Sequence, residues 1–201
     1  MKNFMKKRWP WLLGIAILLL GLILCLVKCD GTNPKTPTLI VETPQKLSAS
    51  QTGEFTLDVT ISDLGDAIYP AMSMSIAFDA SRLEFLGVAE GNIFISDPEN
   101  TSGQRLPEWS CNVENSNKTG RINIMYLDMT GGKHAFAKEL MAEEDNVVLR
   151  LRFRLRGSVR AGDVVDLIVE DAVFAASDET QSLAMTAKTL KVKNGRLVIG
   201  E

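Results

Sequence analysis

The segment from residue 147 to 156 reads Val-Val-Leu-Arg-Leu-Arg-Phe-Arg-Leu-Arg, and from Leu149 onward apolar residues alternate with arginine. A period of two places the apolar set on one face of an extended strand and the arginines on the other. A helical period of 3.6 residues would scatter both sets. The segment therefore predicts a strand with one face on a core and one in water. We call its exposed row the arginine comb: Arg150, Arg152, Arg154 and Arg156.

The same alternation recurs on both sides of this segment. Residues 54–61 place Phe, Leu, Val and Ile on one face, and residues 71–78 alternate apolar and small side chains. Further strands are predicted at 109–114 and 121–128, joined by a turn-forming cluster at 115–120. Residues 135–144 form the one expected helix. This pattern predicts an all-β protein, a nine-stranded β-sandwich with one short helix.

Charge is distributed unevenly along the 201 residues. The first eight residues carry four basic side chains and no acid. Removing these four from the 22 basic residues leaves 18 against 25 acidic residues, a net charge of about −7 for the remainder. Phosphate binding needs a basic surface, so this balance argues against nucleic acid as a partner.

An uncharged apolar run follows the basic cluster. Residues 9–27 number nineteen, which as a helix would span roughly 28 Å, close to the thickness of a bilayer core. The positive-inside rule then leaves residues 1–8 in the cytoplasm and exports everything after the run. We expect a single-pass signal anchor at 9–27 in the cell membrane, a linker at 28–37 and an extracellular domain at 38–201. A cleaved signal peptide and lipidation at Cys29 are the alternatives.

Few residues in the exported part suggest chemistry. Cys111 is its one cysteine, so an intradomain disulfide is not expected, and His134 is the only histidine of the chain and is expected to be solvated. The acidic residues at 97–99 and 178–179 lack the ligand spacing of a calcium loop. Asn100 and Asn117 begin glycosylation sequons by pattern. We expect no metal, no cofactor and no catalytic activity.

One ordered set of motifs resembles a known family. Residues 75–79, Ser-Ile-Ala-Phe-Asp, are followed by Leu83-Glu84-Phe85 and then by Gly91, which resembles the signature of cohesin domains. The resemblance continues in family order through 120–128, the strand at 147–156, 161–162, 172–175 and 194–199. It spans roughly residues 38–199. Ala80 stands where the family signature has proline.

Cohesins are non-catalytic nine-stranded jelly-roll sandwiches that bind dockerin modules of other secreted proteins. The resemblance therefore implies a dockerin receptor, held at the cell surface by its own anchor. The helix expected after Gly132 is similar to one in the type II branch of the family.

In the family, the dockerin contacts strands 3, 5, 6 and 8 of the sandwich. By resemblance, the partner-binding residues here are Ala71, Ser73 and Ser75 on strand 3, Ser110, Asn112 and Glu114 on strand 5, and Ile124, Tyr126 and Asp128 on strand 6, with residues 169–176 as strand 8. Several cohesins carry Asn and Asp where this chain has Ala71 and Ser73. The alternative for strand 6 is that Asn123, Met125 and Leu127 face outward; we expect Tyr126 outward. Trp109 is expected to cover the core.

The resemblance also places the arginine comb on the sheet opposite the dockerin face. Glu54 and Asp58 on the neighbouring strand would then form cross-strand pairs with the comb. The comb would be a solvent-exposed surface that does not bind the partner. Two other functions stay open. One is polysaccharide binding through Trp109, Tyr126 and Tyr69, and the other is a structural surface domain without dockerin binding.

Overall fold

Alternating strands account for nearly all of the regular structure. The computed structural model describes residues 36–44, 47–64, 67–93, 109–129, 134–138, 146–177 and 183–201. Within these ranges the strands are β1 Thr38–Val41, β2 Leu47–Ser48, β3 Glu54–Ile61, β4 Ile68–Tyr69, β5 Ala71–Ala77, β6 Leu83–Glu90, β7 Ser110–Cys111, β8 Arg121–Leu127, β9 Phe136–Ala137, β10 Val147–Leu155, β11 Val164–Ala175, β12 Lys191–Lys193 and β13 Gly195–Gly200. The helix of the described part, α1, is Val113–Thr119.

The strands form two main sheets that share one hydrophobic core. One has the order β12-β1-β3-β10-β6 and the other the order β2-β13-β11-β5-β8-β7, while β4 and β9 pair separately. Residues from the inner faces of both sheets belong to one buried cluster. The predicted all-β sandwich is therefore confirmed. More strands are described than the nine expected because five of them have only two or three residues.

The strand that carries the comb lies inside its sheet, between β3 and β6. Leu149, Leu151 and Phe153 point inward and are fully buried. The Phe153 ring lies 5.5 Å from the ring centroids of both Phe78 and Phe85. Burial of this apolar row is what fixes the strand, since it removes large aliphatic and aromatic surfaces from water.

The comb faces outward, and three of its four arginines are paired with acids. Arg152 donates two hydrogen bonds to the Glu54 carboxylate, one of them 2.9 Å long from Nη2 to Oε2. Arg150 Nε lies 3.2 Å from Asp58, so both expected acidic partners are confirmed. Arg154 pairs with Glu84 of β6 at 3.5 Å. The hydrogen bond from Arg152 lowers the pKa of the Glu54 carboxyl group.

The expected helix at 135–144 was wrong where the structure describes it. Phe136 and Ala137 form β9, which pairs with β4, and residues 139–145 lie outside the described residues. Helix α1 forms instead where a strand end and a turn were predicted. The Asn112 side chain caps its first turn by accepting a 2.9 Å hydrogen bond from Asn115 N. Gly120 ends it in the left-handed region at φ 70°.

Several other expectations fall outside the described ranges. These are the anchor at 9–27, the acidic residues at 97–99 and 178–179, and the sequon at Asn100. Among the described residues, no helix is long and apolar enough to cross a membrane.

Candidate docking face

The outer face of three neighbouring strands, β8, β5 and β11, carries exposed apolar side chains, among them Met125 and Leu127. Strand β5 lies between β8 and β11, and the registers put outward residues in rows across all three. We define the candidate docking face by these rows: Leu127, Ala71 and Ala175; Met125, Ser73 and Val173; and Asn123, Ser75 and Asp171.

A trough runs along the middle of this face. Its floor is β5, whose outward side chains Ala71, Ser73 and Ser75 are all small, while the alternate residues of β5 are buried in the core. Neighbouring strands lie about 4.8 Å apart, so the side chains of β8 and β11 stand as walls about 10 Å from each other. A trough of this width accommodates one row of side chains from a partner.

The two halves of the trough differ in chemistry. One half is a depression of about 220 Å³, and among its lining residues are Ala71, Ser73, Met125, Leu127, Val173 and Ala175. The other is a depression of about 350 Å³, and among its lining residues are the polar Ser73, Ser75, Ser110, Asn112, Asn123 and Asp171. We call them the dry half and the polar half.

One hydrogen bond and one ion pair connect the strands at the polar half. The Ser75 hydroxyl donates to Asn123 Oδ1 at 2.8 Å. Arg121 reaches from β8 to Glu170 on β11, with Nε 3.0 Å from the carboxylate. Glu170 is available for this contact because a register shift between Val169 and Asp171 makes it the extra residue of a β-bulge. The ion pair closes this end of the trough.

Cys111 also lines the polar half, where it is partly buried. Burial raises the pKa of its thiol. Since the thiolate is the nucleophilic form, Cys111 is a weak nucleophile at neutral pH. It belongs to the packing of β7 against the core.

Five of the nine residues predicted to bind a partner lie on or beside the trough. Ala71, Ser73 and Ser75 form its floor, and Ser110 and Asn112 border the polar half. Glu114 is exposed, but it lies in the first turn of α1 rather than on a strand.

The remaining three predicted residues point the other way. Ile124, Tyr126 and Asp128 are only 3%, 2% and 8% exposed, so the expectation that Tyr126 faces outward was wrong. Its ring lies 4.8 Å from the Trp109 ring and 5.0 Å from the Phe136 ring.

The residues of β8 that face outward are Asn123, Met125 and Leu127, the set that the sequence analysis gave as the alternative to Tyr126. Arg121 could have indicated this orientation. A charged residue at the start of β8 faces solvent, and in a strand every second residue lies on the same face. Burying Asn123 without hydrogen-bond partners would also have been costly.

The expectation that His134 is solvated was also wrong. His134 is buried rather than solvated, and its backbone carbonyl accepts a hydrogen bond from the Tyr126 hydroxyl. Trp109 packs against the core, as expected. Tyr69 is only 1% exposed. With Tyr69 and Tyr126 both buried, the three aromatics considered for polysaccharide binding do not form an exposed platform.

The fold is a β-sandwich of two main sheets, and one outer face carries a row of exposed apolar side chains beside a polar cluster. A family model of the cohesin domain matches residues 41–193. The chain belongs to the cohesin domain family. This family comprises protein-interaction modules rather than catalysts.

Solved cohesin structures share the fold at low sequence identity. The Coh-OlpA cohesin of Clostridium thermocellum, solved in complex with Doc918, has a TM-score of 0.60 at 21% identity, covering 82% of this chain and 99% of that chain. The sixth cohesin of scaffoldin B from Acetivibrio cellulolyticus, solved with a Cel5 dockerin mutant, has a TM-score of 0.59 at 18% identity, with the same coverage.

A non-cellulosomal cohesin from the archaeon Archaeoglobus fulgidus has a TM-score of 0.53 at 14% identity, covering 83% of this chain and 92% of that chain. Among curated proteins, no relative matches the chain. The resemblance to type II cohesins rested on the helix expected at 135–144, of which Phe136 and Ala137 form a strand and residues 139–144 lie outside the described residues.

Proposed function

We propose that this protein is a membrane-anchored cohesin module that binds the dockerin of another secreted protein at the cell surface, without catalysis. The trough between β8 and β11 is the observation that carries the proposal. Membership of the cohesin family supports it, and so does the fact that similar cohesins have been solved in complex with dockerins.

The two outer faces of the sandwich differ in a way that favours one of them for docking. On the candidate docking face, Met125 is 59% and Leu127 is 49% exposed. On the opposite face, the arginines at positions 150, 152 and 154 are each paired with an acid. Covering exposed apolar side chains lowers the free energy of a complex, whereas covering ion pairs that are already formed contributes little.

Binding can be tested by titrating the full-length protein in detergent with each dockerin encoded by the same genome. We expect at least one dockerin to bind with a Kd of about 1 μM or tighter. Leu127→Lys should weaken that binding by about tenfold or more, because it places a charge among the apolar side chains of the dry half.

The double variant Arg152→Gln/Arg154→Gln is the matched control and should change the Kd less than about twofold, as expected for residues outside an interface. If no dockerin binds the folded protein, the dockerin assignment is wrong. If the arginine variant loses binding and Leu127→Lys does not, the docking face is the other sheet.

The anchor is supported by the nineteen uncharged residues at 9–27 and by the basic cluster before them. An epitope placed after Glu201 should be accessible to antibody on intact cells, and the protein should remain in the membrane fraction after a carbonate wash. Release of the protein into the medium would contradict an uncleaved anchor. An epitope detectable only after permeabilisation would contradict the orientation.

A further inference from the structure

Three lysines lie close to the point where the chain enters the domain, and the inference drawn from them rests on the proposed membrane anchor. Strand β12 pairs in parallel with β1 and places Lys191 beside Thr38. Lys191 N donates to Pro37 O at 2.9 Å. Lys193 follows on β12 and Lys188 precedes it, and all three lysine side chains are exposed. We call these three lysines the basic edge.

The basic edge differs from the arginine comb of the same sheet in its lack of acidic partners. The arginines at positions 150, 152 and 154 are each paired with a carboxylate. Within the described ranges, no ion pair joins the three lysines of the basic edge to an acid. Their charge is therefore not neutralised locally, although the chain after residue 8 carries about −7. An acidic protein can approach an anionic surface only through such a locally positive region.

Two exposed aliphatic side chains lie at the same end of the sandwich. The end of β3 lies beside β1, since Ser62 N donates to Thr38 O at 3.0 Å, and the following loop leads to Ile68 on β4. The Tyr69 hydroxyl donates to Leu183 O at 3.1 Å, and the chain runs from Leu183 to the basic edge. Ile68 is 47% and Leu183 is 48% exposed. Basic and aliphatic side chains together favour binding to the surface of an anionic bilayer.

The linker keeps this end of the domain close to the membrane. Residues 28–37 separate the expected anchor from β1, and ten residues reach at most about 35 Å when fully extended. A short tether holds the two sites it joins at an effective concentration in the millimolar range. A weak attraction then suffices for contact, and each lysine near an anionic bilayer strengthens the association by about fivefold.

We propose that the basic edge binds the anionic lipid headgroups of the membrane in which the chain is anchored, with Ile68 and Leu183 at the level of the headgroups. The lysine ammonium groups face the lipid phosphates. This contact orients the domain, because it holds the end at which β1 begins against the bilayer. Without it, the domain would rotate freely on its linker.

The test compares the full-length protein in nanodiscs of phosphatidylcholine alone and in nanodiscs that also contain phosphatidylglycerol. An amine-acylating reagent modifies exposed lysines, and mass spectrometry of a digest gives the rate at each position. We expect the basic edge to be acylated about fivefold more slowly, or slower still, in the anionic discs. The difference should vanish at 1 M salt, where the Debye length is about 3 Å.

Lys118 is the matched control for this measurement. It is exposed on α1, two residues before Gly120, whose carbonyl accepts a hydrogen bond from Phe78 N. Phe78 follows the end of β5, whereas β5 begins near the end that carries the basic edge. Lys118 therefore lies at the opposite end of the sandwich, beyond the reach of the lipid charges, and its rate should differ by less than about twofold between the two kinds of disc.

The double variant Lys191→Gln/Lys193→Gln keeps Lys188 as a reporter. Its acylation rate in anionic discs should rise to within about twofold of the rate in phosphatidylcholine discs, because most of the attraction is lost. Lys118→Gln removes one positive charge at the other end and should leave Lys188 as slowly acylated as in the unmodified protein. Circular dichroism verifies that each variant is folded.

The outcomes separate this inference from the anchor on which it rests. Slow acylation of the basic edge in anionic discs, reversed by the double variant, supports the inference. If the protein enters both kinds of disc and the three lysines react equally fast in each, the inference is overturned and the anchor stands. Protection by soluble polyglycerol phosphate but not by anionic discs would also overturn it, since the basic edge would then bind a polymer. If the protein enters neither kind of disc, the anchor is wrong and the inference falls with it.

Discussion

Replacing Gly91 with alanine is expected to destabilise the domain by about 3 kcal/mol or more, through steric strain at a tightly packed backbone. A Cβ atom at this position would overlap the carbonyl group of Val147 and the backbone of Val148. The neighbouring residue holds the two segments together, because Asn92 N donates to Val147 O at 2.9 Å and Asn92 Oδ1 accepts from Val147 N at 2.7 Å. The clash is with backbone atoms, so no side chain can rotate away to relieve it.

Urea unfolding of residues 36–201, followed by circular dichroism, measures this effect. Gly53→Ala is the matched control because a Cβ there would have no atom within 4 Å, and we expect it to change the free energy of unfolding by less than about 1 kcal/mol. Equal stability of the two variants would show that Val147 can move away from β6 at little cost.

Replacing Asn117 with alanine is expected to cost about 2 kcal/mol, since it leaves backbone polar groups of the neighbouring strand without partners. The side chain of Asn117 pairs with β6 as another strand would. Its Oδ1 accepts from Phe85 N at 2.8 Å, and its Nδ2 donates to Phe85 O at 2.7 Å and to Val113 O at 3.0 Å. Helix α1 is thereby attached to the edge of the five-stranded sheet.

Asn115→Ala is the control for this prediction, because Asn115 lies on the same helix with its side chain exposed. Thermal unfolding should show the Asn117 variant melting several degrees below the Asn115 variant, at about 2–4 °C per kcal/mol for a domain of this size. Equal melting temperatures would mean that water replaces the Asn117 side chain without loss. Because Oδ1 accepts one hydrogen bond and Nδ2 donates two, Asn117 has a structural role that does not depend on glycosylation of its sequon.

The sequence predicted best those strands whose two faces differ strongly. In β10 the alternation of leucine or phenylalanine with arginine allows only one orientation, and the structure has it. In β8 the alternation is weaker, because Met125 and Leu127 are as apolar as the residues that are actually buried. Tyr126 packs inward against Trp109 and Phe136. Both residues lie outside β8, one before it and one after it in the sequence. Local pattern alone cannot reveal such a contact.

Helix α1 is a second element that the local sequence pattern did not predict. Its sequence, Val-Glu-Asn-Ser-Asn-Lys-Thr, consists mainly of residues with modest helix propensity. It forms because Asn112 and Gly120 provide both caps and because Asn117 binds a strand 32 residues earlier. The caps were readable in the sequence, whereas the contact with Phe85 was not.

The motif that carried the family resemblance proves to describe the fold rather than the partner. Asp79 accepts hydrogen bonds from the backbone N and the hydroxyl of Ser81, the latter at 2.6 Å, and these bonds lower the pKa of its carboxyl group. They fix the turn that joins β5 to β6. Gly91 permits the close approach of β6 and β10. Family membership could therefore be read from the sequence, but the chemistry of the docking face required the register of β8 and β11.

The edge strands of the two main sheets are protected against pairing with strands of other molecules. Unpaired backbone groups at a sheet border invite strands of other molecules to add on, which leads to aggregation. Here β2 and β7 have only two residues each, β12 has exposed lysines at both ends, and β6 is covered by α1 at Phe85. Neighbouring copies of this domain are therefore expected not to join through their sheet borders, even at high local concentration.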